Sequence, residues 1–303
     1  MKILLTGSNG LLGQKLVALL RQQAGVELVA TSRGANKLAT IHPEVRFLPL
    51  DVTDAAQVQQ VLAQELPTHL IHTAALTNVD ECELNREACW QQNVTAVENL
   101  VAACAAQCIH LTHVSTDFIF SGEKGPLAED AVPGPVNFYG ESKLAAEQLV
   151  QASSGNWAIA RTVLVYGVAH EYGRTNLVLW VRDSLRAGQP IKVVADQWRT
   201  PTLAEDLAQG CWLLAQQSAQ GIYHISSDEL LTPYAMALRV ADYFALDARL
   251  IEKVDASTFS QPAQRPARTG FRIDKARREL GFRPHTFAEG IAIVSAQSRP
   301  TGC

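Results

Sequence analysis

A short strand-forming run, Lys2–Thr6, leads into Thr6-Gly7-Ser8-Asn9-Gly10-Leu11-Leu12-Gly13 and then into a stretch of helical periodicity, Leu11–Gln23, with Leu12, Leu16, Leu19 and Leu20 on its apolar face. Three glycines between a strand and an amphipathic helix constrain what the chain can become. Gly7 allows a tight turn, Gly10 lets backbone N–H groups approach a pyrophosphate at the helix amino terminus, and Gly13 lets that helix pack closely on a sheet. The spacing is G-x-x-G-x-x-G rather than G-x-G-x-x-G. Its weight therefore comes from its place between strand and helix, which makes Gly7 through Gly13, with Ser8, Asn9, Leu11 and Leu12, the first candidate dinucleotide contacts.

The pattern that follows keeps alternating. Val26–Thr31, Val45–Leu50, His69–His72, Ile109–Val114 and Trp157–Val165 read as strands. Ala55–Glu65 (with Asp54 as amino-terminal cap), Asn85–Gln107 as one long helix, and Asn137–Ala152 read as helices. This βαβα order predicts an α/β fold, a doubly wound parallel sheet of Rossmann type with helices on both faces and a smaller carboxy-terminal substrate lobe. After Tyr166 the order changes, with Gly167, Gly173, Gly188, Pro190 and Pro201 interrupting it. The expected division is a nucleotide-binding domain over 1–166, to which 200–226 returns through the helix Ala204–Gln216 and the strand Ile222–Ile225. Segments 167–199 and 227–303 are left for the substrate lobe, with Ser298–Cys303 as a tail.

Bulk properties exclude several classes. With 303 residues, 47% hydrophobic and 18% charged, the chain can bury a large core. A formal net charge of −4 argues against a nucleic-acid or anionic-membrane partner. No apolar run reaches the roughly 18 residues of a membrane span, and the run after Lys2 is too short for a signal-peptide core, so a cytoplasmic location is expected. The six cysteines, Cys82, Cys89, Cys104, Cys108, Cys211 and Cys303, form no C-x-x-C pair and are expected to be buried small hydrophobes. The histidines show no H-E-x-x-H spacing, and no protein-bound catalytic metal is expected.

The second strand ends in Thr31-Ser32-Arg33 where an acidic residue would bind the ribose 2′-hydroxyl of NAD. Ser32 can hydrogen-bond and Arg33 can pair with a phosphate, which favours NADP(H), with NAD(H) as the alternative. Asp51 and Val52 are expected at the adenine edge, and Thr73, Ala74 and Ala75 along the cofactor path. The fifth strand leads to Ser115-Thr116-Asp117, and Tyr139 and Lys143 stand one helical turn apart downstream. A lysine ammonium beside a phenol lowers its pKa, so Tyr139 can donate a proton to a carbonyl oxygen while Thr116 hydrogen-bonds the same oxygen.

These residues resemble the extended short-chain dehydrogenases/reductases, and most closely the dTDP-4-dehydrorhamnose reductase family, over about 1–290. The shared stretches include Thr6–Gly13, Ala74 to Asp80, Ser115-Thr116-Asp117, Asn137–Lys143 with Glu147, Arg161-Thr162, Val165-Tyr166-Gly167, Asp196-Gln197, Pro201-Thr202 and Arg265-Pro266. The resemblance implies reduction of a nucleotide-linked keto sugar with NAD(P)H, with Thr116, Tyr139 and Lys143 as the catalytic trio and Asp117 in support. It departs from the family at three places. Leu164 stands where a tryptophan is usual, Phe118 where a tyrosine is usual, and Trp198-Arg199 where an aromatic residue and glycine are usual. The expected substrate contacts are Thr77, Val79, Leu164, Asn176, Trp198, Arg199 and Arg265, with Arg199, Arg265 and Asn176 facing a diphosphate. The alternatives are a nucleotide-sugar epimerase or dehydratase and a non-catalytic cofactor-binding subunit like the methionine adenosyltransferase β-subunit. Dehydratases resembling this chain carry a glutamate where Phe118 stands. A homodimer is among the assemblies left open.

Overall fold

The computed structural model describes residues 1–171 and 175–298; Gly173 and the tail after Ser298, with Cys303, lie outside the described residues. The chain runs through β1 (Lys2–Thr6), α1 (Leu11–Leu20), β2 (Glu27–Ser32), β3 (Arg46–Pro49), α2 (Ala55–Glu65) and β4 (His69–His72). Next come α3 (Val79–Leu84), α4 (Arg86–Trp90), α5 (Ala96–Ala106), β5 (His110–Thr116), α6 (Phe138–Ala152) and β6 (Trp157–Thr162). The remainder comprises β7 (Val165–Tyr166), α7 (Leu177–Arg186), β8 (Ile191–Val194), β9 (Thr202–Leu203), α8 (Ala204–Gln216), β10 (Gly221–His224), α9 (Pro233–Tyr243), β11 (Ile251–Val254), α10 (Asp274–Leu280) and α11 (Phe287–Gln297).

Among the described residues the main sheet has seven parallel strands in the order β10-β6-β5-β4-β1-β2-β3. The strand alternation of β1 explains its central place. Ile3 and Leu5 enter the core beneath α1 and α8, whereas Leu4 enters the opposite core with α2, α5 and α6. Thr6 is in register with Thr31 on one side and His72 on the other, so three strand ends meet where the strand order reverses. In open α/β sheets that reversal leaves a crevice at the carboxyl ends of the strands.

Local chemistry sets most of the element starts. Asp54 caps α2 by accepting from Ala56 N at 2.9 Å and Gln57 N at 3.1 Å. The stretch expected as one helix, Asn85–Gln107, is interrupted: Asn85 closes α3, and a π turn, Gln91–Thr95, joins α4 to α5. The helix Val79–Leu84 escapes a reading by periodicity because its apolar positions are few; Asn78 starts it by accepting from Glu81 N at 3.2 Å. The expected strand Trp157–Val165 also divides. Leu164 adopts φ 40°, which turns the chain out of the main sheet, so β7 pairs with β9 instead. Of the described cysteines, Cys108 departs from the expected burial: it is exposed, at φ 55° after α5.

α8 and β10 pack with the main sheet. A separate core gathers Tyr166, Val181, Ile191, Met236, Phe287 and Ile291 from β7, α7, α9, α11 and the parallel pair β8–β11. Ile273, Ala276, Leu280 and Phe282, within the segment expected to belong wholly to the second lobe, pack into the sheet's core instead, because α10 presents its apolar side to α8 and β10. Among the described residues no helix is long and apolar enough to cross a membrane.

Candidate active site

The carboxyl ends of the strands open into a cleft of about 1120 Å³ that runs from the glycine loop to the second lobe. This exceeds what one drug-sized ligand needs. Gly7 has φ +74°, and a Cβ there would lie 2.7 Å from Ala74 N; a Cβ on Gly13 would lie 2.2 Å from Gly7 O. The loop therefore closes on itself only with glycine at these places. Gly10 caps α1 without a side-chain hydrogen bond, which leaves first-turn amides to a ligand in the cleft that Gly7, Asn9, Gly10, Leu11, Leu12 and Gly13 line. Ser8 does not line it; its hydroxyl is buried against Thr31 O at 3.1 Å.

Ser32, Arg33, Asp51, Val52, Thr73, Ala74 and Ala75 line the same end. Asn9 ties the loop to this edge by donating to Ser32 Oγ and Ala35 O, both at 2.8 Å, and accepting from Lys37 N at 3.0 Å. Lys37 is a second cation beside Arg33 in the cleft wall, one that sequence reasoning did not single out. Ser32, Arg33 and Lys37 offer donors to a 2′-phosphate here, no carboxylate stands at the carboxyl end of β2, and Asp51, the carboxylate that lines this end, interacts with Arg33. The residues present thus fit a phosphorylated dinucleotide.

At the centre, β5 delivers Ser115, Thr116 and Asp117, while α6 delivers Tyr139 and Lys143. Asn137 starts α6 by accepting from Gly140 N at 2.8 Å. Gly140 permits the approach to β5, since a Cβ there would lie 2.2 Å from Phe118 O. Thr116 stands beside the Tyr139 hydroxyl and donates to Asp117 Oδ1 at 3.2 Å. Burial raises the phenol of Tyr139 above its ordinary range, and the neighbouring Thr116 hydroxyl opposes this only in part. The expected lowering of the phenol by Lys143 is therefore not supplied by this arrangement. The lysine itself is pulled down to about 8 by burial, with Nζ donating to Val114 O at 2.8 Å and contacting His113 Nε2 at 3.3 Å. Asp117 is raised by burial; Arg199 at 3.7 Å and hydrogen bonds from Thr269 and Thr116 work against that rise.

Behind this trio, Asn93 sits in the π turn and is fully buried. Its amide accepts from Leu76 N at 2.8 Å and donates to Leu76 O and Ser142 Oγ, both at 3.0 Å. The loop after β4 is thereby fixed to the helix that carries Tyr139 and Lys143. The extra residue of a π turn is a recurrent feature of functional sites, and no periodicity in the sequence marks it.

At the substrate end Thr77, Val79, Leu164, Asn176, Arg199 and Arg265 line the cleft, joined by Phe118, Gln197 and Pro233. Trp198 does not; its ring is stacked outside beneath the Arg268 guanidinium at 5.3 Å. Arg199 is buried and engaged by protein: it donates to Trp198 O at 2.8 Å, Pro266 O at 2.6 Å and Ala267 O at 3.2 Å, and pairs with Asp117. It braces the 266–269 segment and is not free for the diphosphate it was expected to meet. Arg265 makes a two-pronged pair with Asp80, at 2.7 and 2.6 Å, and Asn176 caps α7 while donating to Gly167 O at 2.7 Å. Leu164 is 37% exposed and keeps a left-handed backbone at the cleft wall, a conformation that costs a non-glycine residue about 1–2 kcal/mol.

The family model described as the RmlD substrate-binding domain matches residues 1–299. The chain belongs to that family. This RmlD-family chain is 34% identical to a dTDP-4-keto-6-deoxy-D-glucose reductase of Streptomyces niveus, over 93% of its own length and 91% of the relative's. It is also 30% identical to methionine adenosyltransferase 2 subunit beta of Xenopus tropicalis, over 81% of this chain and 72% of that one. Among solved structures it is similar to the dTDP-4-dehydrorhamnose reductase of Bacillus anthracis in complex with NADP, at 28% identity, a TM-score of 0.84, and coverage of 98% of this chain and 99% of the other.

Proposed function

We propose that this RmlD-family protein is an NADPH-dependent reductase of the keto group of a nucleotide-linked sugar. The observation that carries it is one cleft holding both the glycine loop with Arg33 and Lys37 and the group Thr116, Tyr139 and Lys143. The names of the relatives support the same reading: two are keto-sugar reductases, one of them with NADP bound. NADPH, when bound, supplies the hydride.

The chain's own residues handle the oxygen. The Thr116 hydroxyl turns its one proton from Asp117 Oδ1 to the carbonyl oxygen as negative charge develops, and the Tyr139 hydroxyl donates the proton that quenches it. A phenol held high by burial is a reluctant acid. Its proton becomes available as the substrate oxygen turns into a strong base. Lys143 would also hydrogen-bond the nicotinamide ribose, and Asp117, which takes the Thr116 proton before substrate arrives, keeps that hydroxyl oriented. The second lobe, built around α7, α9, α11 and the pair β8–β11, is read as holding the sugar nucleotide, and Arg265, partnered by Asp80, is the strongest candidate for a phosphate contact. Phe118 brings no acid or base to the site, which disfavours elimination chemistry.

The relative from Xenopus is named as a subunit of another enzyme, which leaves room for a second reading, a cofactor-binding subunit without turnover. The two separate in one experiment. Purified protein with NADPH is offered a panel of nucleotide-linked keto sugars and followed by loss of nicotinamide absorbance. Turnover with at least one member is expected. Tight NADPH binding with no oxidation across the panel would replace the reductase reading with the second.

A further inference from the structure

We propose that His113 is a positioning residue that holds the Lys143 ammonium from beneath by accepting a hydrogen bond at Nε2. The kinetic side of this rests on the reductase reading; the spectroscopic side does not.

The alternation of β5 that puts Ile109 and Leu111 into the core with Ala146 and Val150 of α6 puts His113 on the same face, where a hydrophobic residue would be expected. His113 is fully buried. Its Nε2 lies 3.3 Å from Lys143 Nζ, and its Nδ1 has no hydrogen-bond partner among the described residues. An orphaned buried polar atom is a penalty that a leucine or phenylalanine would avoid. The contact with Lys143 is what the imidazole provides and those side chains cannot.

The chemistry fixes the protonation. An ammonium has three donors and no acceptor. One donor goes to Val114 O at 2.8 Å and one to His113, leaving the third for the cleft that Lys143 lines. Nε2 must then carry the lone pair and Nδ1 the proton. Burial, the Lys143 charge and His72 hold His113 well below the ordinary imidazole range, so the ring stays a neutral acceptor. Its face is closed by His72, stacked at 5.4 Å and 22° and itself held by Thr6 Oγ1 at 2.7 Å, which prevents the ring from swinging away. The other titratable groups acting on Lys143 are Cys89 from α4 and, on α6, Glu147, which is engaged by Arg161 at 2.7 Å; Tyr139 stands one turn before it. Burial alone would strip the ammonium of its proton at lower pH, and an acceptor at His113 opposes this.

Two variants separate positioning from packing. His113→Phe keeps a ring against His72 and removes the acceptor, whereas His113→Gln restores an acceptor oxygen near the place of Nε2. In the NADPH-loaded protein, His113→Phe is expected to move the alkaline limb of the kcat profile down by about one pH unit and to lower kcat roughly tenfold, with KM for the sugar nucleotide unchanged. His113→Gln is expected to recover most of both. Equal behaviour of the two variants, or a parent-like limb in His113→Phe, would overturn the proposal. If the protein reduces no keto sugar, the reductase reading fails by itself, and the Lys143 titration read by carbon-13 NMR of labelled lysine still decides. Its midpoint should fall in His113→Phe, and an unchanged midpoint overturns the proposal. If His113→Phe does not fold, nitrogen-15 NMR of the parent protein decides instead. A protonated Nδ1 with a bare Nε2 is expected, and a protonated Nε2 refutes it.

Discussion

At the dinucleotide end of the cleft, Gly7, Gly10 and Gly13 belong to one tight turn and the first turn of α1, and their backbone forms the wall. At the substrate end, Asn176, Arg199 and Arg265 come from three distant segments, and protein groups already engage each side chain. The first end is local: a tight turn and an uncapped helix start follow from residues adjacent in the chain. The second end is made of long-range pairs, Arg199 with Asp117 and Arg265 with Asp80. A residue type suited to a diphosphate is not thereby free to bind one. A buried arginine must satisfy its donors before any ligand arrives, and Arg199 does so on Trp198, Pro266 and Ala267.

Three measurements put this contrast at risk. The largest effect is expected between the two ends, at Tyr139. Tyr139→Phe keeps the ring against Phe118, Cys82 and Cys89 and removes only the acidic proton. Reduction should slow by roughly 10²–10⁴ while NADPH binding survives. Parent-rate turnover by this variant would mean that the proton comes from elsewhere.

The next effect belongs to the substrate end. Arg199→Ala leaves Asp117 buried without its cation, so chemical denaturation should show a loss of about 3–5 kcal/mol. Where the variant is folded, nucleoside diphosphate should bind as in the parent. A large loss of that affinity with unchanged stability would put Arg199 on the ligand and erase the difference between the two ends.

The smallest effect is at the dinucleotide end. Arg33→Asp should weaken NADPH by about 1–3 kcal/mol, the scale of a charge-assisted hydrogen bond replaced by repulsion. NADH should be nearly unaffected in a cofactor titration. Equal binding of both cofactors by the parent would remove Ser32 and Arg33 as selectors and leave Lys37 without a phosphate to meet.

Much of the nucleotide half was legible because its signals are periodic or contiguous. Ala55–Glu65 and Ala204–Gln216 begin and end where capping and apolar spacing put them, and Tyr139 and Lys143 share a face through helical spacing alone. Other features carried no such mark. The π turn at Gln91–Thr95 preserves the apolar character of a continuous helix while shifting its register by one residue. Leu164 looks like the next residue of a strand, yet its backbone turns the chain toward β9. Lys37 and Gln197 reach the cleft only because loops far apart in sequence are brought together there.

The glycine loop and the Tyr139–Lys143 pair were set by the order of residues alone, since each depends on spacing within a single turn or helix, and the alternation of strands and helices set the parallel sheet. Tertiary packing settled which charged side chains remain available. It paired Arg199 with Asp117 and Arg265 with Asp80, turned Trp198 outward, and set His113 under Lys143. The physical reason is that most buried charges and donors take up a partner that the fold brings within hydrogen-bonding or ion-pairing reach, and that partner can lie anywhere in the chain.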